Sequence, residues 1–176
     1  MIKKAVFVLA MGICGFLGEI SATQISNNFS FGGGTLFEST LSGGFMELGF
    51  SLHETKNLQV RNYFVFEGKG LPSIINSLGG GWLGDKITIG RTIETIYRTY
   101  TFFQASIGFW GNSSDNFSRS GLSYQVLGGG GVEWILNPYN SFFFEVGGGG
   151  YFSQFSLPFP LQSGFARLTS GFRFFL

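Results

Sequence analysis

The chain has one cysteine, one histidine and four prolines in 176 residues, and only 12% of its residues are charged. Its single Cys14 lies in the apolar N-terminal stretch, so residues 23–176 offer neither a disulfide nor a thiolate metal site. Those residues carry nine basic and nine acidic side chains, and a net charge of zero gives no electrostatic reason for binding nucleic acid. No apolar run after Leu17 is long enough for a membrane helix. We therefore expect no cofactor, no metal and no nucleic-acid partner.

The N-terminus has the parts of a secretory signal peptide. Two lysines precede an apolar stretch from Ala5 to Leu17, and the chain then reaches the small residues Ser21 and Ala22. A membrane-spanning helix is the alternative, but the stretch is shorter than the ~20 residues that cross a bilayer. Cys14 follows an isoleucine, where a lipoprotein signal would have a small residue, so we interpret it as part of the signal. This predicts a cleaved signal peptide over 1–22 and one domain over 23–176.

Glycine and phenylalanine are unusually abundant in the predicted domain, with 26 Gly and 21 Phe. Disordered chains contain few aromatic residues, so this composition excludes disorder. A closed β-barrel is the one non-helical structure that satisfies its own backbone hydrogen bonds in lipid. The composition therefore favours a membrane barrel.

The segments after Ala22 alternate apolar and polar residues with a period of two, and turn signals separate them. A membrane strand needs ~9 to 11 residues, so eight such strands use almost the whole predicted domain. We predict an all-β protein, a transmembrane antiparallel up-and-down β-barrel of about eight strands. The predicted strands are 25–37, 42–53, 58–69, 76–90, 95–111, 121–136, 141–153 and 163–176.

In six of these strands one face is apolar or aromatic and the other carries charges. In the last strand Leu168 and Phe172 share one face, and Arg167 and Arg173 share the other. A charge on the lipid face is costly, whereas opposite charges can pair across a narrow lumen. We therefore expect lipid outside and a polar lumen inside, with Glu145 of the neighbouring strand as the preferred partner of both arginines. The predicted lumen charge network is Glu47, Arg61, Glu67, Arg98, Glu133, Glu145, Arg167 and Arg173.

The fourth strand does not fit this pattern. Trp82 falls on the same face as Lys86, and Asp85 shares the other face with Ile87 and Ile89. We expect a bulge or a shifted turn there.

Turn lengths orient the barrel, because small barrels of this kind have short periplasmic turns and longer outer loops. The short connections at 54–57 and 137–140 predict the periplasmic side. The longer stretches at 112–120 and 154–162, together with 70–75, predict the outer side. Both chain ends then lie on the periplasmic side.

The C-terminal residues Phe172, Arg173, Phe174, Phe175 and Leu176 resemble the terminal strand that the barrel-insertion machinery of Gram-negative bacteria recognises. Leu176 replaces the usual final phenylalanine. With the signal peptide and the strand count, the chain resembles the small outer-membrane barrels of the OmpX, OmpW and OmpA-domain type. The resemblance is one of architecture and carries over no functional residue. It implies the bacterial outer membrane as location, contact with outer-membrane lipid, an insertion signal at Phe172, Phe174 and Leu176, and room for a host or extracellular ligand.

Glycine runs occur at 32–34, 79–81, 128–131 and 147–150. A phosphate-binding loop would have to join a strand to a helix, and no helical pattern follows any of these runs. We interpret them as structural, because glycine on an inner face leaves room for larger residues opposite.

Three functions compete. A lipid-modifying enzyme would need a catalytic triad, and the candidate is His53 with Ser51 and Glu47 on one strand face. Such spacing arises easily by chance. In the predicted barrel His53 also points inward at the periplasmic end, away from the lipid of the outer leaflet. A narrow channel for small or apolar solutes is the second. Eight strands enclose a space that side chains can fill, which disfavours an open pore. We therefore predict a structural or surface-exposed barrel without enzymatic activity.

Overall fold

The protein folds into a closed barrel of eight antiparallel strands, which confirms the predicted fold class. The computed structural model describes residues 29–39, 41–55, 57–71, 76–93, 96–114, 117–152 and 164–176. Each strand pairs with the next along the chain, and β8 closes the barrel against β1. The strands are β1 (Phe29–Glu38), β2 (Ser42–Glu54), β3 (Gln59–Leu71), β4 (Asn76–Ile93), β5 (Tyr97–Ser114), β6 (Phe117–Asn137), β7 (Asn140–Phe152) and β8 (Phe165–Phe175).

Four predictions fall wholly or partly outside the described residues. They are the signal peptide over 1–22, the start of the first strand over 25–28, the part of the loop over 70–75 that follows Leu71, and the loop over 154–162. Within the part of the chain that is described, no helix is long and apolar enough to cross a membrane.

Buried and exposed residues alternate along the strands, as the period of two predicts. In β8, Arg167 and Arg173 are buried, while Leu168 and Phe172 are exposed. The buried set is rich in charged and polar side chains, and the exposed set contains most of the large apolar ones. A water-soluble barrel has the opposite arrangement. An apolar exterior around a polar lumen is that of a barrel whose wall faces lipid.

The fourth strand is regular, and the predicted bulge is wrong. The register of β4 with β3 and with β5 runs without a shift from Leu78 to Gly90. Trp82 and Lys86 both point into the lumen, where they are buried. Asp85 therefore lies on the outer face, with its carboxylate accepting a 2.6 Å hydrogen bond from the side-chain amide of Asn62 on β3. The local polar partner removes the need for a bulge.

A bulge occurs instead in β2, between Ser51 and His53. Ser51 is opposite Arg61, which points inward, but His53 is opposite Val60, the next residue of β3. Because cross-strand partners share a face, the bulge moves His53 to the outer face. The prediction that His53 points into the lumen beside Ser51 is therefore wrong.

The predicted outer loop at 112–120 is also wrong, because β5 and β6 continue through most of it. The strands stay paired up to Ser114 and Phe117. Polar residues follow one another in this part of the sequence, so no alternation of apolar and polar residues marks it as strand. The strands β4, β5 and β6 have 18, 18 and 21 residues, whereas the other strands have 10 to 13.

The two ends of the barrel differ. One end, here called the terminal end, holds Phe29, Leu176 and the short turns at 55–58 and 138–139. In the first of these turns Thr55 and Leu58 exchange hydrogen bonds of 2.8 to 3.1 Å. The opposite end, here called the loop end, holds the connections that leave β3, β5 and β7. This arrangement agrees with an even strand number.

Candidate functional site: the closed lumen

Inward glycines leave the space in which large lumen side chains lie. A Cβ added at Gly131 would stand 2.6 Å from the ring of Tyr100, and one at Gly108 would stand 2.5 Å from the ring of Trp82. Gly49 makes the same room for Tyr63. Real Cβ contacts are not this short, so a larger residue at these positions would have to displace the ring. The structural interpretation of the glycine runs therefore agrees with the packing of the lumen.

The charged residues of the lumen form two groups. The first, here called the Arg173 cluster, contains the cations Arg61, Lys86, Arg98 and Arg173 and the carboxylates Glu47, Glu133 and Glu145. Its central guanidinium, that of Arg173, lies 2.5 Å from Glu47, 3.3 Å from Glu133 and 3.2 Å from Glu145. Arg173 is completely buried. A buried charge is tolerated only where it is paired, and three carboxylates meet that need here.

Lys86 completes the Arg173 cluster from the opposite wall. Its ammonium lies 2.7 Å from Glu47 and 3.0 Å from Glu145. The hydroxyl of Tyr100 donates a 2.9 Å hydrogen bond to Glu145. Each of these carboxylates therefore has partners from two or more strands, which ties distant parts of the wall together across the lumen.

The second group, here called the Lys69 cluster, contains Lys69, Arg167, Glu38 and Glu67 and lies toward the loop end. The ammonium of Lys69 is 2.8 Å from Glu38 and 2.9 Å from Glu67. Arg167 lies 2.5 Å from Glu67. Two cations and two carboxylates balance each other, so this group is neutral as a unit.

Neutral side chains add hydrogen bonds to the Lys69 cluster. Lys69 also donates to Gln125 and Tyr151, both at 2.9 Å, and the Tyr151 hydroxyl donates to Glu38. The amide of Gln104 donates a 2.6 Å bond to Glu67. These bonds satisfy polar groups that would otherwise be buried without partners.

Aromatic rings close the loop end of the lumen around Lys69. The ammonium lies 4.6 Å from the centre of the Trp82 ring and 5.1 Å from that of Tyr151. Phe165 stacks beside Tyr151, and the indole of Trp82 donates a 3.0 Å hydrogen bond to Ser123. The lumen is therefore filled by side chains from one charge cluster to the other.

The structure brings all eight residues of the predicted network into the lumen, where each has at least one oppositely charged partner. These pairs are those of Arg61, Arg98, Arg167 and Arg173 with Glu47, Glu67, Glu133 and Glu145. Glu145 is a partner of Arg173 as expected. For Arg167 the predicted partner is wrong, because its guanidinium pairs with Glu67 and Glu38. Side chains in this narrow lumen reach across it rather than only to the next strand.

Three charged lumen residues are missing from the predicted network: Glu38, Lys69 and Lys86. The bulge expected in the fourth strand left the face of Lys86 undefined, so Lys86 was not included. Lys69 is two residues after Glu67 on the same predicted strand, so the alternation of faces was sufficient to predict that Lys69 points into the lumen. Glu38 follows the end of the predicted first strand, so its face was undefined.

The candidate triad is not assembled. The bulge in β2 puts His53 and Ser51 on opposite faces, and the Ser51 hydroxyl lies 3.3 Å from Glu54. Glu47 is held by Arg173 and Lys86. Within the described ranges, no group of three His, Cys, Asp or Glu side chains is placed to hold a metal ion.

The chain is similar to known proteins in its three-dimensional structure, but not detectably in its sequence. No protein-family model matches the chain, and neither does any curated protein. Ail of Yersinia pestis has a TM-score of 0.59 at 12% identity, with 86% of this chain and 100% of that chain covered. Neisserial surface protein A has a TM-score of 0.60 at 9% identity over 84% and 97% of the two chains. The N-terminal barrel domain of Pseudomonas aeruginosa OprF has a TM-score of 0.59 at 11% identity over 87% and 100%. The chain thus has the fold of the small bacterial outer-membrane β-barrels.

Proposed function

We propose that the chain is a structural or surface-exposed protein of the bacterial outer membrane whose lumen is closed by ion pairs. The observation that carries this proposal is the pair of buried charge clusters around Arg173 and Lys69. Their charged side chains are almost fully withdrawn from water: Glu47, Arg98, Glu133 and Arg173 are each at most 1% exposed. A water-filled pore would leave such groups hydrated.

A narrow channel for small or apolar solutes is the competing function. A solute on that path would have to separate Arg173 from Glu47 and then Lys69 from Glu38, leaving buried charges unpaired at each step. Removing one partner of a buried pair costs ~3 to 5 kcal/mol, so repeated separation opposes permeation. The polar filling of the lumen therefore favours the structural or surface-exposed function.

The surface-exposed part is the extension of β4, β5 and β6 beyond the other strands. The pairing of β5 with β6 continues through Ser113 and Ser118, and the sequence of this extension is rich in serine and asparagine. Serine and asparagine are hydrogen-bonding residue types, so this composition favours an extracellular ligand over insertion into lipid. We place any host or extracellular ligand on this wall.

Phe172, Phe174 and Leu176 serve, in this proposal, as the insertion signal. Phe172 and Phe174 lie on the outer face of β8, Leu176 directly follows the strand, and the three side chains are 40 to 66% exposed. Their side chains are therefore available both to the insertion machinery and, afterwards, to membrane lipid.

A liposome-swelling assay tests the proposal against the channel alternative. The refolded barrel is reconstituted beside an equal amount of a conducting porin, and swelling is followed with a small sugar and with a small apolar solute. We expect the barrel to give no more swelling than protein-free liposomes, while a heat-dependent gel shift confirms that it is folded. Swelling with either solute would favour the channel.

A further inference from the structure

The lipid-facing wall around β4 carries two features that a solitary barrel in lipid does not need. The first is Asp85. It lies near the middle of β4, with the exposed residues Leu83 and Ile89 on the same face and Phe64 opposite it on β3. Charged side chains on the lipid face of a membrane barrel are unfavourable, most of all near mid-height. A carboxyl group at this place therefore requires an explanation.

Asn62 satisfies only part of Asp85. Its amide donates one hydrogen bond to Oδ1, and among the described residues Asp85 has no cationic partner. The outer-face cation on the same strand, Arg91, is six residues away toward the terminal end. The carboxyl group consequently keeps hydrogen-bonding capacity beyond its bond with Asn62.

The second feature is a groove on the same wall. Gly44, Gly68 and Gly81 are neighbours in register on β2, β3 and β4, and all three face outward. Its volume is about 960 Å³, and its sides include Phe66, Leu83 and Ile107. Met46 and Phe109, which are 67% and 72% exposed, stand beside it.

The glycines of this groove are not required by the barrel itself. A Cβ at Gly68 would meet nothing within 4 Å, and one at Gly81 would have its nearest neighbour at 3.8 Å. By contrast, a Cβ at the inward Gly34 would lie 2.0 Å from a backbone oxygen. Three outward glycines in register on adjacent strands leave the backbone of this wall open to close approach from outside, which a single outward glycine such as Gly130 does not do.

We propose that this wall is the contact between two copies of the chain in the membrane. Small residues that allow close approach, together with a polar side chain that hydrogen-bonds across the contact, are how membrane segments associate. A two-fold axis along the membrane normal keeps every residue at its own height, and an axis that passes beside β4 brings Asp85 of one copy against Asp85 of the other. One carboxyl group then donates a hydrogen bond and the other accepts it.

The same symmetry requires a self-complementary surface, because the same patch is used by both copies. The wall meets this requirement: each copy offers a groove floored by Gly44, Gly68 and Gly81 and the protruding side chains of Met46 and Phe109 to fill the groove of its partner. An acyl chain would fill the groove, but it offers no hydrogen-bonding group to Asp85.

Cross-linking in membranes tests the contact. The full chain with Cys14→Ser carries either Leu83→Cys, beside Asp85, or Leu168→Cys, which is similarly exposed on β8 across the barrel. We expect a membrane-permeant bis-maleimide to give a dimer with Leu83→Cys and only background with Leu168→Cys. Absence of a dimer at Leu83→Cys, or equal yields at the two positions, would overturn the proposal.

Two pairs of variants then identify what holds the contact. Asp85→Asn keeps a group that both donates and accepts, so it should retain the dimer, whereas Asp85→Val should reduce its yield by about tenfold. Loss of the dimer in both variants would indicate that Asp85 has a cationic partner other than a second copy. An unchanged dimer yield in Asp85→Val would show that Asp85 is not part of the contact. Either result contradicts the proposal. Gly68→Leu should abolish the dimer, and the outward Gly130→Leu on β6 should not. A heat-dependent gel shift checks that each variant is folded.

Discussion

Arg173 of β8 reaches over β1 and places its Nε 2.5 Å from Oε1 of Glu47 on β2. Gly32 of β1 lies between them in the sheet, in register with both residues. A Cβ at Gly32 would lie 3.1 Å from Arg173 Cγ, 3.1 Å from Glu47 Oε1 and 2.8 Å from a backbone oxygen. The ion pair therefore spans a strand that has no side chain at the crossing point.

Gly32→Ala should destabilise the barrel by ~1 to 3 kcal/mol, because the added methyl group overpacks the crossing point of Arg173 and Glu47. Gly111→Ala, on the outer face of β5, is the matched control. It adds the same atoms where nothing lies within 4 Å and should change the free energy of unfolding by less than about 0.5 kcal/mol. Urea unfolding of both variants in detergent gives the comparison, and equal effects would show that Gly32 leaves no special room.

Arg173 and Glu47 should be strongly coupled in a double-mutant cycle. Arg173→Met alone should lower the free energy of unfolding by ~3 to 5 kcal/mol, because it leaves buried carboxylates with fewer cations. The same substitution should cost less in a chain that already carries Glu47→Gln. The pair of Arg61 with Glu54, whose carboxylate is 43% exposed, is the control and should couple by ~0 to 1 kcal/mol. A coupling near zero for Arg173 with Glu47 would mean that water fills the lumen.

Adjacent residues of β4 should respond in opposite ways if the strand is regular. Lys86→Met removes the buried partner of Glu47 and Glu145 and should destabilise the barrel by ~3 to 5 kcal/mol. Asp85→Asn keeps a hydrogen bond with Asn62 and places no charge toward lipid, so stability should stay the same or rise. Unfolding in dilute detergent measures both, and the reverse order of effects would show that β4 presents its other face to lipid.

The faces of the strands were predictable from the sequence because side-chain direction alternates from one residue to the next. This local rule was enough to place Arg167 and Arg173 of β8 and Glu145 of β7 in the lumen. It failed where the chain departs from simple alternation. The bulge at Ser51 and His53 inserts one residue with no turn signal, and Asp85 faces outward because Asn62 on another strand accommodates it.

The partners across the lumen were not predictable from alternation. Arg167 pairs with Glu67 of β3 rather than with Glu145 of the neighbouring strand, and Lys69 of β3 pairs with Glu38 of β1. Such pairs depend on the stagger of strands around the closed barrel and on the space that inward glycines leave. Neither quantity is contained in the alternation of a single strand.

The orientation of the barrel in the membrane is open to direct labelling. Ser114 ends β5 at the loop end, and Asn140 begins β7 at the terminal end. If the loop end faces outward, an impermeant maleimide should label Ser114→Cys on intact cells and leave Asn140→Cys unlabelled until the outer membrane is permeabilised. Labelling of Asn140→Cys alone on intact cells would reverse the orientation.

Single-channel recording in planar lipid bilayers measures most directly whether the two ion-pair clusters close the lumen. The folded barrel, verified by its heat-dependent gel shift, is added beside a conducting porin that serves as the positive control. Because the groups around Arg173 and Lys69 fill the lumen and are paired with one another, insertion of the barrel should give no unitary current steps. Reproducible steps of one defined conductance from the folded protein would contradict a closed lumen.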